Sequence, residues 1–137
     1  MGARAEAGRR ASRVLIVEDD ADTAESLRVL FESCGHSAMV AMGGRDGIDR
    51  ARAFRPDLIF CDLAMPEVDG FKVAEAIRAD RLLMRKTLVA LTGYSQPDYV
   101  MRAFRAGFDE YLLKPAAPTR LLELVDRAGS RAKRRRP

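Results

Sequence analysis

Short apolar runs alternate with helical periodicity five times along the chain, and this alternation constrains the fold more than any other feature. The clearest runs, VLIV, LIF and LVAL, are apolar on consecutive residues rather than on alternate ones. Such runs indicate strands that are buried on both faces, as in a parallel sheet covered by helices. The sequence therefore predicts an α/β domain with strands at residues 14–17, 37–41, 58–61, 87–91 and 110–113.

Helix signals follow each predicted strand. Asp20 is expected to cap a helix over residues 21–34, which Gly35 would end. Apolar residues at helical spacing predict a second helix that opens at Gly43-Gly44 and ends before Pro56. The remaining helices are predicted at residues 70–79, 97–106 and 118 to about 128, and a proline begins each of the last two.

Charge is distributed unevenly. The net charge is +4, but residues 1–13 carry +3 and residues 127–137 carry +6. Residues 14–126 contain 14 basic and 19 acidic residues, which gives a net charge of −5. The sequence therefore predicts a basic flexible segment at residues 1–12, an acidic domain at residues 13–128 and an Arg-rich flexible tail at residues 129–137.

The composition predicts a cytoplasmic protein whose cysteines are reduced. No apolar run approaches the roughly 18 residues that a membrane-spanning helix needs. Cys34 and Cys61 lack CxxC spacing and fit the reduced thiols of a cytoplasmic protein. His36 is the only histidine, so zinc chemistry and histidine-based catalysis are poor candidates.

Polar side chains stand directly after four of the five predicted strands. They are Glu18 and Asp19, then Asp62, then Thr92, and finally Lys114. The carboxyl ends of parallel strands lie along one edge of the sheet, where ligands bind. We therefore expect three carboxylates, one hydroxyl and one ammonium group to converge there.

Three neighbouring carboxylates repel one another, by about 4 kcal/mol per pair at about 4 Å and an effective dielectric near 20. A bound cation relieves this repulsion, and hard oxygen ligands favour Mg²⁺. With Lys114 as a second positive charge, the site would attract a phosphoryl group that Asp62 can accept as a nucleophile. Thr92 can hydrogen-bond a phosphoryl oxygen.

Each of these residues alone also fits a structural role. Acids after a strand often cap the following helix, as Asp20 is expected to do, and a Lys-Pro pair is common in exposed loops. The functional interpretation therefore depends on the complete set of residues rather than on any single one.

The sequence resembles the receiver domain of two-component response regulators. The resemblance lies in four stretches that occur in the order found in that family: VLIVEDD, PDLIFCDLAMPEVDG, ALTG and YLLKP. The resemblance covers about residues 13–128 and includes single-domain chemotaxis-type receivers and the receivers of hybrid histidine kinases. It implies a flavodoxin-like (βα)5 fold, a doubly wound five-stranded parallel sheet of order 2-1-3-4-5.

The resemblance also implies a magnesium site and a phosphoacceptor. Asp62 would accept the phosphoryl group. Asp19 and Asp62 would bind Mg²⁺ directly, together with the backbone carbonyl of Ala64, and Glu18 would act through a metal-bound water.

Further roles carry over from the same family. Lys114 would pair with the phosphoryl group, and the Lys114–Pro115 bond would be cis. Thr92 and Tyr111 would act as the conformational switch. Tyr111 fits a half-buried packing role equally well.

Two positions beside the site are expected to tune the phosphorylated state. Ala64 has no polar side chain with which to position a water, and Tyr94 can partly cover the phosphoryl group. These residues predict a fairly long-lived acyl phosphate.

The resemblance implies a partner-controlled switch rather than a conventional enzyme, with at most self-directed phosphotransfer and autodephosphorylation. The phosphoryl donor would be a histidine kinase or phosphotransfer protein. An unknown effector would contact the last strand and the last two helices. The chain is expected to be a stand-alone or excised receiver, either a monomer or a phosphorylation-dependent dimer.

Three other functions are disfavoured by the sequence. The basic residues of 131–136 could contact nucleic-acid phosphates, but the tail lacks interleaved aromatics and the acidic domain opposes binding, which makes nucleic acid an unlikely partner. A phosphohydrolase using the same nucleophile usually has a second aspartate two residues later, where this chain has Ala64. Dinucleotide binding is disfavoured because no GxGxxG follows the first strand.

Overall fold

The computed structural model describes the backbone of residues 11–135 and the side chains of residues 11–131. Its strands are β1 (Arg13–Val17), β2 (Ser37–Ala41), β3 (Leu58–Cys61), β4 (Thr87–Thr92) and β5 (Glu110–Leu113). Its helices are α1 (Ala21–Ser33), α2 (Gly44–Phe54), α3 (Gly70–Ala79), α4 (Pro97–Ala106) and α5 (Pro118–Arg135). In the described part of the chain, no helix combines the length and the hydropathy that crossing a bilayer requires.

The five strands form one parallel sheet in the order β2-β1-β3-β4-β5, which confirms the predicted fold class. Successive side chains of a strand point to opposite faces. Leu15 and Val17 therefore pack with buried residues of α2, α3 and α4, whereas Val14 and Ile16 pack with buried residues of α1 and α5. The helices cover both faces, and this explains why the strands are apolar on consecutive residues.

Helix α1 begins as predicted. The Asp20 side chain accepts a hydrogen bond from the backbone N–H of Thr23 at 3.1 Å, and the Thr23 hydroxyl also donates to it. The helix ends at Ser33, one residue before the predicted end, and Gly35 follows with φ of 91°. Such a left-handed conformation favours glycine.

The domain begins earlier in the chain than predicted. Ser12, assigned from the sequence to the flexible N-terminal segment, is fully buried. Its hydroxyl donates to the carbonyl of Val125 at 2.6 Å, and its backbone N–H donates to Nδ1 of His36 at 2.9 Å. Since Nδ1 accepts this bond, Nε2 carries the ring proton and faces Asp126 Oδ1 at 3.2 Å.

Helix α5 is longer than predicted. It continues to Arg135 instead of ending near Ala128, so residues 129–135 of the predicted flexible tail are helical. Apart from Gly129, this stretch consists mostly of the good helix formers Arg, Ala and Lys. The remaining segment predictions fall on residues 1–10 and 136–137, which lie outside the described residues.

Arg78, near the C-terminal end of α3, connects two loops. Its guanidinium donates to the carbonyls of Gly107, Met84 and Lys86 at 2.7–2.9 Å. It also pairs with the carboxylate of Asp109 at 2.9 Å. The contacts fix the loop that enters β4 and the turn between α4 and β5.

Candidate functional site

Backbone hydrogen bonds continue one residue beyond the strand ends and hold the predicted site residues in place. The N–H of Asp62 donates to the carbonyl of Val17 at 2.9 Å, and the N–H of Lys114 donates to that of Thr92 at the same distance. The N–H of Glu18 donates to the carbonyl of Ala41, the last residue of β2. The positions of these residues are therefore set by the sheet itself.

Three carboxylates lie together at the carboxyl edge of the sheet. Glu18, Asp19 and Asp62 each offer an oxygen within 4.8 Å of the others. Glu18 is 3% exposed and Asp62 is 9% exposed, whereas Asp19 is open to solvent. The structure thus brings together the three predicted metal-binding side chains, with one side of the cluster accessible.

Lys114 bridges two of these carboxylates. Its Nζ lies 2.5 Å from Oε1 of Glu18 and 3.4 Å from Oδ2 of Asp62. The shorter contact is a strong charge-assisted hydrogen bond, and the longer one is weak. The ammonium group is therefore close to Asp62 but mainly bound to Glu18.

Burial and charge shift the proton affinities of this pair. Burial raises the pKa of the Glu18 carboxyl, and the charge of Asp62 raises it further, against the opposing effect of Lys114. Partial burial acts to lower the pKa of Lys114, but the hydrogen bond to Glu18 and the two nearby carboxylates outweigh it, and the pKa is raised. Lys114 therefore stays positively charged at neutral pH.

The two predicted switch residues are linked through the backbone of Tyr94. Thr92 is fully buried, and its hydroxyl accepts a 3.4 Å contact from the N–H of Tyr94. The hydroxyl of Tyr111 donates to the carbonyl of Tyr94 at 2.5 Å. Sequence reasoning placed Tyr94 over the site but missed this connection, since nothing in a sequence pattern reports which carbonyl a tyrosine hydroxyl reaches.

The loop after Asp62 is packed tightly against α3. A Cβ atom on Gly70 would lie 2.4 Å from the carbonyl oxygen of Asp62 and 2.7 Å from the Cα of Leu63. Both contacts are with backbone, so no side-chain rotation relieves them. Ala64, by contrast, is exposed beside the carboxylates. The sequence predicts a helix that begins at Gly70 but does not indicate this close backbone contact.

Replacing Gly70 by alanine is expected to lower the free energy of unfolding by about 2 kcal/mol, because the added methyl pushes α3 and the Asp62 backbone apart. Urea denaturation measures this loss. Gly93→Ala is the matched control, since its Cβ would meet nothing within 4 Å, and it should stay within about 0.5 kcal/mol of wild type. Equal effects of the two substitutions would contradict the packing explanation.

The donor set fits a hard divalent cation. All three side chains of the cluster are carboxylates, which are the oxygen ligands that Mg²⁺ prefers. The neighbouring thiol of Cys61 is buried, which raises its pKa well above the ordinary value, and its Sγ donates to the carbonyl of Asp62. A protonated thiol is a poor metal ligand, so the oxygen donors define the site.

A doubly wound sheet with an acidic cluster and a lysine at its carboxyl edge is the arrangement expected of a phosphoacceptor signalling domain. The sequence profile of the family described as the response regulator receiver domain matches residues 14–126. The chain belongs to this family of receiver domains of two-component systems.

One similar protein is the DNA-binding response regulator MtrA of Mycolicibacterium paratuberculosis, which is 34% identical over 122 residues. The match covers 89% of this chain but 52% of MtrA, so the chain spans about half the length of that relative.

Two solved structures are similar in fold and sequence. The receiver domain of a histidine kinase from Syntrophus aciditrophicus superposes with a TM-score of 0.84 and is 32% identical in sequence. The match covers 92% of this chain and 96% of the Syntrophus chain. The receiver domain of the sensor histidine kinase PA1611 from Pseudomonas aeruginosa PAO1 has a TM-score of 0.80 and 25% identity, over 88% and 98% of the two chains. That receiver was crystallised with a magnesium ion in its active-site cleft.

Proposed function

We propose that Asp62 accepts a phosphoryl group from a histidine kinase or phosphotransfer protein. An Oδ atom of Asp62 attacks phosphorus, the bond from phosphorus to the donor histidine nitrogen breaks, and that nitrogen keeps the bonding electrons. The observation that carries this proposal is the position of Asp62, which lies among two other carboxylates and 3.4 Å from the ammonium of Lys114.

The carboxylate cluster supports a magnesium requirement. Asp19, Asp62 and the carbonyl of Ala64 would hold the ion directly, and Glu18 would hold it through water. An ion held there would offset the repulsion among the carboxylates and would supply the positive charge that neutralises the oxygens of an incoming phosphoryl group.

Lys114 and Thr92 would bind the phosphoryl group once it is attached. The Lys114 ammonium already lies between Glu18 and Asp62, so a modest movement brings it to a phosphoryl oxygen on Asp62. Moving the Thr92 hydroxyl toward the same group would release its 3.4 Å contact with the N–H of Tyr94. Tyr111 would respond because its hydroxyl holds the carbonyl of that same residue.

The output surface would consist of α4, β5 and α5, where a downstream effector binds one of the two forms more tightly. A phosphoryl group can only bias such an equilibrium by interacting differently with its two states. On this proposal the protein is a cytoplasmic switch rather than a conventional enzyme, and works as a monomer or as a phosphorylation-dependent dimer.

The test is incubation with acetyl phosphate and Mg²⁺, followed by intact mass measurement. The wild-type protein is expected to gain one phosphoryl group, and Asp62→Asn none, because the amide is not a nucleophile. Asp98→Asn, which alters an exposed carboxylate in the first turn of α4, is the matched control and should be phosphorylated normally. EDTA should prevent the gain, whereas full phosphorylation of Asp62→Asn would exclude the proposed acceptor.

The side chain at position 64 is expected to influence the lifetime of the phosphorylated form. Ala64 is exposed beside Asp62 and offers no polar group to orient an attacking water. We expect Ala64→Asn to shorten the half-life of the acyl phosphate several-fold, because the added amide can orient the attacking water. The half-life is measured by intact mass after the phosphodonor is removed. Slower decay in Ala64→Asn than in wild type would contradict this role.

A further inference from the structure

A second cleft lies at the amino edge of the sheet, opposite the carboxylate cluster. It has a volume of about 530 Å³ and is formed by the ends of α3, α4 and α5 with the loop that enters β4. Lys86 precedes β4 and Thr92 ends it, so the cleft is about 20 Å from the proposed phosphoacceptor. Any ligand of this cleft would therefore be separate from the phosphorylation chemistry.

The cleft carries an excess of positive charge. Four basic residues line it, Arg78, Arg85, Lys86 and Arg131, against the single acid Asp109. Asp109 is already paired with Arg78 at 2.9 Å. The formal charge of the lining is thus +3, although residues 14–126 as a whole carry −5.

Two of these cations are available to a ligand. Within the side chains that the structure describes, neither Lys86 nor Arg131 has an ion-pair partner. Both residues are partly buried and line the cleft. The guanidinium of Arg78, in contrast, donates hydrogen bonds to the carbonyls of three residues and to Asp109, and so stabilises the fold.

An aromatic ring stands beside these cations. Phe104, on the outer side of α4, lines the cleft and is 47% exposed. An exposed phenylalanine leaves apolar surface in water unless a ligand covers it. Nucleotide bases stack on aromatic rings whatever hydrogen-bonding groups the bases carry. Phosphate groups pair with lysine and arginine.

We propose that this cleft binds a nucleotide, with its phosphates on Lys86 and Arg131 and its base against Phe104. The volume of about 530 Å³ lies within the range of small-molecule sites. A small ligand is favoured over a nucleic-acid chain because the acidic remainder of the domain would repel an extended polyanion. The site does not depend on the proposed role of Asp62.

Isothermal titration calorimetry with unlabelled ATP and GTP, in EDTA to keep metal–nucleotide complexes away from the carboxylate cluster, tests this site. We expect saturable binding of one nucleotide per chain. Lys86→Ala and Arg131→Ala should each weaken it by about tenfold, the effect of losing one charge-assisted contact. Phe104→Leu should weaken it by roughly fivefold or more, because the leucine cannot stack on a base.

Matched controls separate this cleft from general charge effects. Lys72→Ala and Arg45→Ala each remove one positive charge from an exposed position outside the cleft. They should leave the nucleotide affinity unchanged, as should Asp62→Asn. Absence of saturable binding, or equal losses in the controls, would overturn the proposal. Inorganic triphosphate binding as tightly as ATP, with no effect of Phe104→Leu, would overturn the nucleotide assignment, and tighter binding of a single-stranded oligonucleotide would assign the cleft to nucleic acid instead.

Discussion

Replacing Lys114 by alanine is expected to slow phosphorylation of Asp62 by acetyl phosphate by about a hundredfold or more. The ammonium lies 3.4 Å from Oδ2 of Asp62, where charge develops on the transferring group, and removing one such preorganised contact commonly costs this much in rate. The rate is followed by intact mass at a fixed Mg²⁺ concentration.

The same substitution leaves Glu18 buried at 3% exposure without its cationic partner. The pKa of Glu18 should then rise further, because the Lys114 contact is the strongest influence that lowers it. Lys72→Ala, which removes an exposed ammonium from the first turn of α3, is the control and should keep the wild-type rate. If Lys114→Ala were phosphorylated as fast as this control, the proposed role of Lys114 would be wrong.

Replacing Arg78 by methionine is expected to lower the free energy of unfolding by about 3–4 kcal/mol. Methionine keeps the apolar stem but leaves the carbonyls of Gly107, Met84 and Lys86 without their charged donor. Hydrogen bonds from a charged group contribute about 1.5–3 kcal/mol each, and the total is smaller than their sum because water reaches part of this site. The Arg78 side chain is 25% exposed.

Urea denaturation followed by circular dichroism measures the effect. Arg52→Met is the matched control, since Arg52 is 56% exposed and makes one surface pair with Asp80. It should change stability by no more than about 0.5 kcal/mol. A loss below about 1 kcal/mol for Arg78→Met would mean that the loops hold their positions without the guanidinium.

Most of the architecture could be predicted because it depends on local patterns. Consecutive apolar residues such as 14–17 specify a strand buried on both faces, and Asp20 ahead of a stretch with helical spacing specifies a helix start. The convergence of Glu18, Asp19 and Asp62 then follows from the parallel sheet alone. The family resemblance also implied the cis bond at Lys114–Pro115, which the structure contains.

Contacts that depend on side-chain reach could not be predicted in this way. Lys114 follows β5, which is two strands away from β3 and three away from β1. Its shorter contact is nevertheless with Glu18 after β1 rather than with Asp62 after β3, since the Glu18 side chain is one methylene longer. Arg78 gave no signal either, because a basic residue in the last turn of a helix is ordinary, and its partners lie up to 31 residues away.

The hydrogen bonds of Ser12 to Val125 and His36 join parts of the chain that are 113 and 24 residues apart. They hold the start of β1 against the middle of the final helix, so polypeptide grafted ahead of Ser12 would emerge beside α5. A force applied to the backbone at Ser12 is therefore transmitted to α5 through the hydrogen bond to Val125.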